Sequence, residues 1–417
     1  MTIPSQRRIG AEIPDAGTED HDRTPLAAGH RLAAVDGLRA VAALWVVLFH
    51  MHAFSGVRLW PGFELLARSG STGVSLFLVL SGFCLYLPVT AGRHRRFRTG
   101  AFLRRRCWRL LPAYYASLLL VLIAHLLTDG RAGLPRLSGA DLAAQAATHL
   151  TLTHQFFPQT FYGLNGAYWS LGLEWELYLT LPLLVLGVRR FGLARTFVAV
   201  CVVSAAYRTG LFLAVELDLL RSDGPLAQVV LPNLFLGRWA EFGLGMVTAE
   251  LHARGRLPRI DWRSGAAVLL AAAAALLLPE HPYKHMLIGF VFAGVLCAVL
   301  AGGNPVARAC SWPPLVGLGV MSYSLYLVHQ PLVEVLAVLL SDRAPFEIFL
   351  GMLLSLPAFL LVGWVLFVSV ERRSMGAAGR GRLSARRLLP VRSTAMPAPT
   401  RSTRETPDAA TMLGPHP

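Results

Sequence analysis

The sequence predicts an all-α polytopic membrane protein with about ten transmembrane helices and both termini cytoplasmic. Three observations carry that expectation. Of the 417 residues, 54% are hydrophobic and 15% charged, and the mean hydropathy is positive, a balance too apolar for a soluble domain of this length. Apolar runs of about 17 to 25 residues recur, the length needed to cross a hydrocarbon core as helix. Arginines crowd alternate connections between those runs, which is how a polytopic chain signals orientation.

The expected spans are 33 to 54, 72 to 90, 109 to 128, 167 to 188, 193 to 215, 228 to 251, 264 to 280, 285 to 301, 314 to 340 and 347 to 370. Pro313, Pro314, Pro331 and Pro357 can break or kink the last two. The stretches RHRRFRTGAFLRRRCWR, RRFGLAR and ARGRLPRIDWR hold the arginine clusters, whereas the opposite connections carry only Arg58, Arg68, Arg131, Arg136, Arg221, Lys284 and Arg343. The formal charge of +15 therefore reads as a membrane orientation signal and not as a nucleic-acid surface. Residues 1 to 31 are polar and lack a cleavable signal pattern, residues 32 to 372 form the membrane domain, and 373 to 417, rich in Arg, Pro, Ser and Thr, cannot build a core. Abundant alanine and arginine with almost no lysine point to a GC-rich bacterial genome such as that of an actinobacterium. Cys84, Cys107, Cys201, Cys297 and Cys310 show no CxxC spacing, so neither a disulfide framework nor a metal site is expected.

The first span carries ionisable groups. The eleven positions from Arg39 to His50 rotate a helix by about three turns plus 20°, so both side chains share a face roughly 16 Å apart along the axis. Asp36 falls near that face; His52 points away. Entering from the cytoplasm near residue 33, this helix puts Arg39 toward the inner side and His50 past the midplane. An intramembrane ionisable group marks a path or a reaction site by default, although such a group also serves as a bond between helices.

Three further stretches hold candidate chemistry. In FLRRRCWRLLPAYY, Arg106 and Arg109 stand at i and i+3, two guanidinium forks suited to a phosphorylated donor; a plain lipid-facing anchor is the competing reading. In YWSLGLEWELYLTLPLL, Ser170, Glu174 and Tyr178 share one face near the outer end of their helix, with Glu176 facing elsewhere. In SYSLYLVHQP, Ser322, Tyr326 and His329 form one stripe, which also suits interhelical bonding. Arg238 and Glu241 in GRWAEFGLG read as a structural ion pair.

These stretches together resemble the integral-membrane acyltransferase 3 family of bacterial O-acyltransferases, over nearly the whole range from Asp36 to Arg372. LRAVAALWVVLFH is similar to the first-helix pattern of a basic residue, ten others and a histidine, which implies the family's essential roles for Arg39 and His50. TGVSLFLVLSGF resembles the second-helix signature at Gly73, Phe77, Ser81 and Gly82, with Leu78 where a second phenylalanine is usual. RRCWR resembles the RxxR motif at Arg106 and Arg109, and YWSLGLEWELY matches at Trp169, Ser170, Glu174 and Tyr178. RWAEFGLG, SYSLYLVH and VERR resemble later landmarks, the last departing at Arg373, where proline is usual. The resemblance implies acyl transfer from acyl-CoA, with acetyl-CoA the expected donor, to a hydroxyl of a cell-envelope glycan or a glycosylated small molecule. Too little chain follows residue 371 for the family's frequent appended domain, so a multi-pass enzyme wholly within the cell membrane, in contact with its lipids, is expected.

Acyl transfer to an alcohol needs a base, a group to polarise the carbonyl and a site for the leaving group. His50 suits the base, because the pKa of imidazole lies nearest working pH. Glu174 is expected to orient it if the two helices adjoin, with Arg106 and Arg109 holding the donor's phosphates and Arg39 part-way along the channel. Direct transfer and an acyl-histidine relay both stay open. A transporter of acyl groups or protons is the alternative, but neither inverted repeats nor paired broken helices are visible. The HxxxxD spacing of glycerolipid acyltransferases does not occur at His50, since position 55 is Ser. The outer stretch 129 to 166, with His149 and His154, is expected to form part of a lid over the acceptor or an ordinary interfacial loop.

Overall fold

The computed structural model describes residues 25–92, 97–128, 139–258 and 281–375, and among them every regular element is helical. Helix α1 (Pro25–Ser55) starts ahead of the expected residue 33. A short α2 (Pro61–Arg68) leads into α3 (Gly73–Ala91). Helix α4 (Thr99–Thr128) begins ahead of the expected residue 109, because the arginine-rich run is itself helical. A connecting segment follows, with α5 (Gly139–Leu150) and the single turn α6 (Pro158–Phe161), before α7 (Trp169–Phe191) and α8 (Leu193–Glu216).

The largest departure from the expected spans precedes α9 (Phe235–Ala253). The apolar run from residue 228 is a π turn at Leu226–Val230 and a 3-10 turn at Leu231–Asn233, ending in extended backbone at Leu234. Pro232 cannot donate a backbone hydrogen bond and ends the regular helix. Carbonyls freed by such a break need partners inside a membrane. Side chains supply them: Arg208 donates to the Pro232 carbonyl at 3.2 Å, Tyr207 to that of Leu231 at 2.9 Å and Asn233 to that of Val229 at 2.9 Å, while Arg208 also donates to Gly237 at 2.7 Å and Pro282 at 2.8 Å.

Helix α10 (Lys284–Ala301) and the short α11 (Pro305–Cys310) follow. The expected span 314 to 340 is two helices, α12 (Pro313–Val320) and α13 (Ser322–Leu339), separated at Met321. The final span is the pair α14 (Pro345–Leu354) and α15 (Leu356–Leu366), bent by 44°, where Pro357 begins the second piece. Among the described residues, seven helices are long and apolar enough to cross a membrane, or up to eight with the bent pair counted as one. Of the other two expected spans, α9 carries Arg238, Glu241 and Glu250, which keep it out of that count. Residues 264–280 lie outside the described residues.

Two crossings bring backbones into contact. Where α3 meets α9, a Cβ on Gly82 would overlap the Phe242 carbonyl oxygen, and one on Gly245 would overlap that of Val79. Small residues allow this approach in lipid, where helices associate by packing without a hydrophobic drive. The same crossing buries the ion pair of Arg238 and Glu241, 2.8 Å apart, with Arg238 also donating to Ser75 at 3.0 Å. The second sets α1 on α11 through Gly37, whose Cβ would overlap the Cys310 carbonyl oxygen, and on α12 through Gly319, whose Cβ would overlap that of Asp36.

Gly245→Val should therefore abolish a monodisperse peak in detergent size-exclusion chromatography. Gly210→Ala, at a position in α8 with nothing within 4 Å of an added Cβ, should leave the peak intact.

Candidate active site

Helices α1, α3, α4, α7 and α13 surround a cleft of about 870 Å³, part of it open to the surroundings. Arg39 enters from α1, Phe77 and Ser81 from α3, Arg106 and Arg109 from α4. Ser170, Glu174 and Tyr178 enter from α7, and Ser322 and Tyr326 from α13. Periodicity explains why each helix contributes a stripe: residues three or four apart share a face. The walls carry three guanidiniums and one carboxylate, Glu174, so the cleft favours an anion.

The arginines are held differently. Arg39 donates to the Ser322 hydroxyl at 3.4 Å, with the carboxylates of Asp36, Glu174 and Glu371 in electrostatic range. Arg109 forms an ion pair with Glu371 at 2.8 Å, and the fully buried Glu371 accepts from Ser324 at 2.6 Å. Arg106 lies over the Phe102 ring, 5.7 Å from its centroid, and its buried Nε has no hydrogen-bond partner among the described residues. The Glu174 carboxylate accepts from Tyr178 at 2.5 Å.

His50 does not line this cleft. Its Nδ1 lies 2.8 Å from the Val46 carbonyl and 3.3 Å from Nε2 of His329, whose own Nδ1 is 2.7 Å from the Tyr326 carbonyl. Tyr326 joins the two regions. Its hydroxyl is 2.6 Å from Ser170 in the cleft, and its ring packs against those of Phe77 and His329 with centroids 6.0 and 5.3 Å away. Arg39, Arg106, Arg109, Ser170, Glu174, Tyr178, Ser322 and Tyr326 thus converge on one cleft, while His50 and His329 form an adjoining pair behind Tyr326.

One expectation needs correction. Glu174 is not the hydrogen-bond partner of His50; it faces the arginines and Tyr178, and His329 occupies the place beside the imidazole. Asp36 is half-buried on α1, near the crossing with α12, and outside the cleft wall, and Arg238 with Glu241 stays at the α3–α9 contact. His52, on the other face of α1, lies 2.9 Å from Glu64 of α2. Glu176 ties the α5–α6 segment to α9, accepting from Gln155 at 3.0 Å and from the Phe235 backbone amide at 2.9 Å.

In the α5–α6 segment, His149 and His154 stack with ring centroids 4.1 Å apart, fully buried. Burial, then the neighbouring His154, pushes the His149 imidazole down to about 3, and burial pushes His154 down to about 4. Both are neutral near pH 7 and serve as packing under the segment.

Sequence reasoning missed Glu371 and Tyr323. Tyr323 lines the cleft and donates to the Leu110 carbonyl at 2.9 Å. The signal for Glu371 was present: VERR puts a carboxylate at the end of an apolar run, where an unpaired one is costly.

Comparison with known proteins places this geometry. Residues 32–368 match the model of the acyltransferase domain family, acyltransferase 3, and the chain belongs to that family. It is a multi-pass membrane O-acyltransferase. It is 29% identical over 374 residues to a protein named as a membrane-bound transacylase, BcsY, of Komagataeibacter xylinus, covering 86% of each chain. It is 28% identical over 318 residues to the acyltransferase MdmB of Streptomyces mycarofaciens, covering 72% of this chain and 78% of that one. Over 336 residues it is 24% identical to the peptidoglycan O-acetyltransferase OatA of Listeria monocytogenes, covering 75% of this chain and 51% of the relative. No solved structure matches the chain.

Glu371→Gln keeps the shape and the bond to Ser324 but removes the charge facing Arg109. It should lower the melting temperature, by the loss of about 1–3 kcal/mol for a partly exposed pair, and raise the donor KM several-fold with little change in kcat.

Proposed function

We propose that the protein transfers an acyl group, acetyl first among candidates, from acyl-CoA to a hydroxyl of a sugar-containing acceptor. The observation that carries this reading is the cleft with three arginines adjoining a histidine pair across Tyr326. Arg106, with an uncommitted Nε, and Arg39 are suited to the donor's phosphates. Arg109, already paired with Glu371, acts as their fixed neighbour. The pantetheine arm is then directed toward Tyr326 and the histidines.

His50 serves as base. Its Nε2 takes the proton of the acceptor hydroxyl as the oxygen attacks the thioester carbonyl. Collapse of the tetrahedral intermediate breaks the C–S bond, and the leaving thiolate recovers the proton from the imidazolium. The acyl group passes from sulfur to oxygen with no net change in protons. The acetyl group and the glycan acceptor are supported by the name of the Listeria relative, a peptidoglycan O-acetyltransferase. A glycosylated small molecule offers the same hydroxyl chemistry. The arginine-rich connections support a cytoplasmic entry for the donor.

The test uses purified protein in liposomes, labelled acetyl-CoA and peptidoglycan fragments or glycosides as acceptors. The wild type should give an O-acetyl ester. His50→Ala should cut kcat by about 100-fold or more without loss of folded protein, whereas His52→Ala should retain turnover. Arg106→Ala should raise KM for the donor far more than for the acceptor. Undiminished turnover by His50→Ala would remove the base from its role; equal changes in both KM values would make Arg106 a topology anchor.

A further inference from the structure

We propose that His329 is a positioning residue that fixes the tautomer of His50 and stabilises the imidazolium formed when His50 takes the acceptor's proton. The inference rests on the reading of His50 as base and assigns the task of orienting it, which Glu174 does not perform in this structure.

The argument starts from which atoms can donate. A backbone carbonyl only accepts, so Nδ1 of His329, 2.7 Å from the Tyr326 carbonyl, carries a hydrogen. In the neutral ring the other nitrogen is then bare, and Nε2 of His329 is an acceptor. That bare nitrogen lies 3.3 Å from Nδ1 of His50. Nδ1 of His50 is also 2.8 Å from the Val46 carbonyl, so it too carries its hydrogen and shares it between two acceptors. One assignment of hydrogens satisfies all three contacts. It leaves Nε2 of His50 with the lone pair, and that nitrogen has no hydrogen-bond partner among the described residues.

Donation thus runs one way, from Nδ1 of His50 to Nε2 of His329 and from Nδ1 of His329 to the Tyr326 carbonyl. When Nε2 of His50 gains a proton, the positive charge spreads over a ring whose Nδ1–H already points at two acceptors. The neutral imidazole of His329 does here what a carboxylate does in many base–orienter pairs. A neutral orienter suits this place: His329 is fully buried, and an additional carboxylate there would carry a large desolvation cost. The ring planes lie at 70° with centroids 4.9 Å apart, an edge approach that leads with the nitrogen. Tyr326 supplies both the carbonyl that sets His329 and the hydroxyl at the cleft wall, so the pair is aligned with the donor site through one residue.

The test compares His329→Leu, which removes the acceptor and fills the space, with His329→Gln, whose side-chain oxygen can accept from His50. Both are measured in the purified, full-length protein alongside melting temperature. The Leu variant should lose about 100-fold or more in kcat with both KM values nearly unchanged, as loss of the correct tautomer does elsewhere. The Gln variant should recover at least about tenfold of that loss. Added to His50→Ala, His329→Leu should change nothing further. Wild-type kcat in the Leu variant would show that the Val46 carbonyl suffices and overturn the proposal, as would a Gln variant no better than Leu. Full activity in His50→Ala would instead overturn the base assignment, and the positioning role with it.

Discussion

The structure depends on one constraint: each ionisable group inside an apolar, membrane-spanning bundle must find a partner there. A charged side chain at mid-membrane costs about 2.5–3.5 kcal/mol on insertion scales, and an unpartnered backbone carbonyl is also penalised. The buried polar residues divide by how they meet that constraint. Arg208 donates to three carbonyls, Arg238 is shared between Glu241 and Ser75, and Glu176 accepts from Gln155 and from the start of α9. These groups are committed to the fold. The Nε of Arg106 at the cleft and the Nε2 of His50 in the adjoining histidine pair keep bonding capacity that no described residue uses. One belongs to the cleft wall and the other to the pair that adjoins it across Tyr326, and there such capacity suits substrate chemistry.

Packing makes this placement possible. The backbone contacts of α3 with α9 through Gly82 and Gly245, of α1 with α11 through Gly37 and of α1 with α12 through Gly319 leave no room for side chains at those crossings. Helix α1 is thereby held at its arginine end by α12, while its histidine end meets α13. The break at Met321 between α12 and α13 lets one stretch of chain serve both contacts.

The helical class and most of the cleft were legible in the sequence because both rest on local period. Arg39, Arg106, Ser170, Glu174 and Tyr326 could be placed on stripes from spacing alone, and the cleft is where those stripes meet. Which stripe faces which depends on helix order around the bundle, and spacing carries none of that. Glu174 was therefore matched with His50 on chemistry, whereas the fold puts His329 beside His50 and turns Glu174 toward the arginines. The pairing of Arg109 with Glu371 joins positions 262 residues apart, beyond the reach of any periodic argument. The start of α9 escapes the sequence for a different reason: residues 228 to 234 are apolar enough to belong to a span, and their π and 3-10 turns are tolerated because Arg208, Tyr207 and Asn233 donate to their carbonyls.

The proposed function has a directional consequence: with the donor entering through the arginine cleft, donor and acceptor are expected to reach the histidine pair from opposite faces. Sealed proteoliposomes of known orientation test it directly, with acyl-CoA and a bulky hydrophilic glycan each confined to one side. The account predicts ester formation only when acyl-CoA is on the face of the arginine-rich connections and the glycan is on the other. Product formed with both reactants on the arginine-rich face would contradict it.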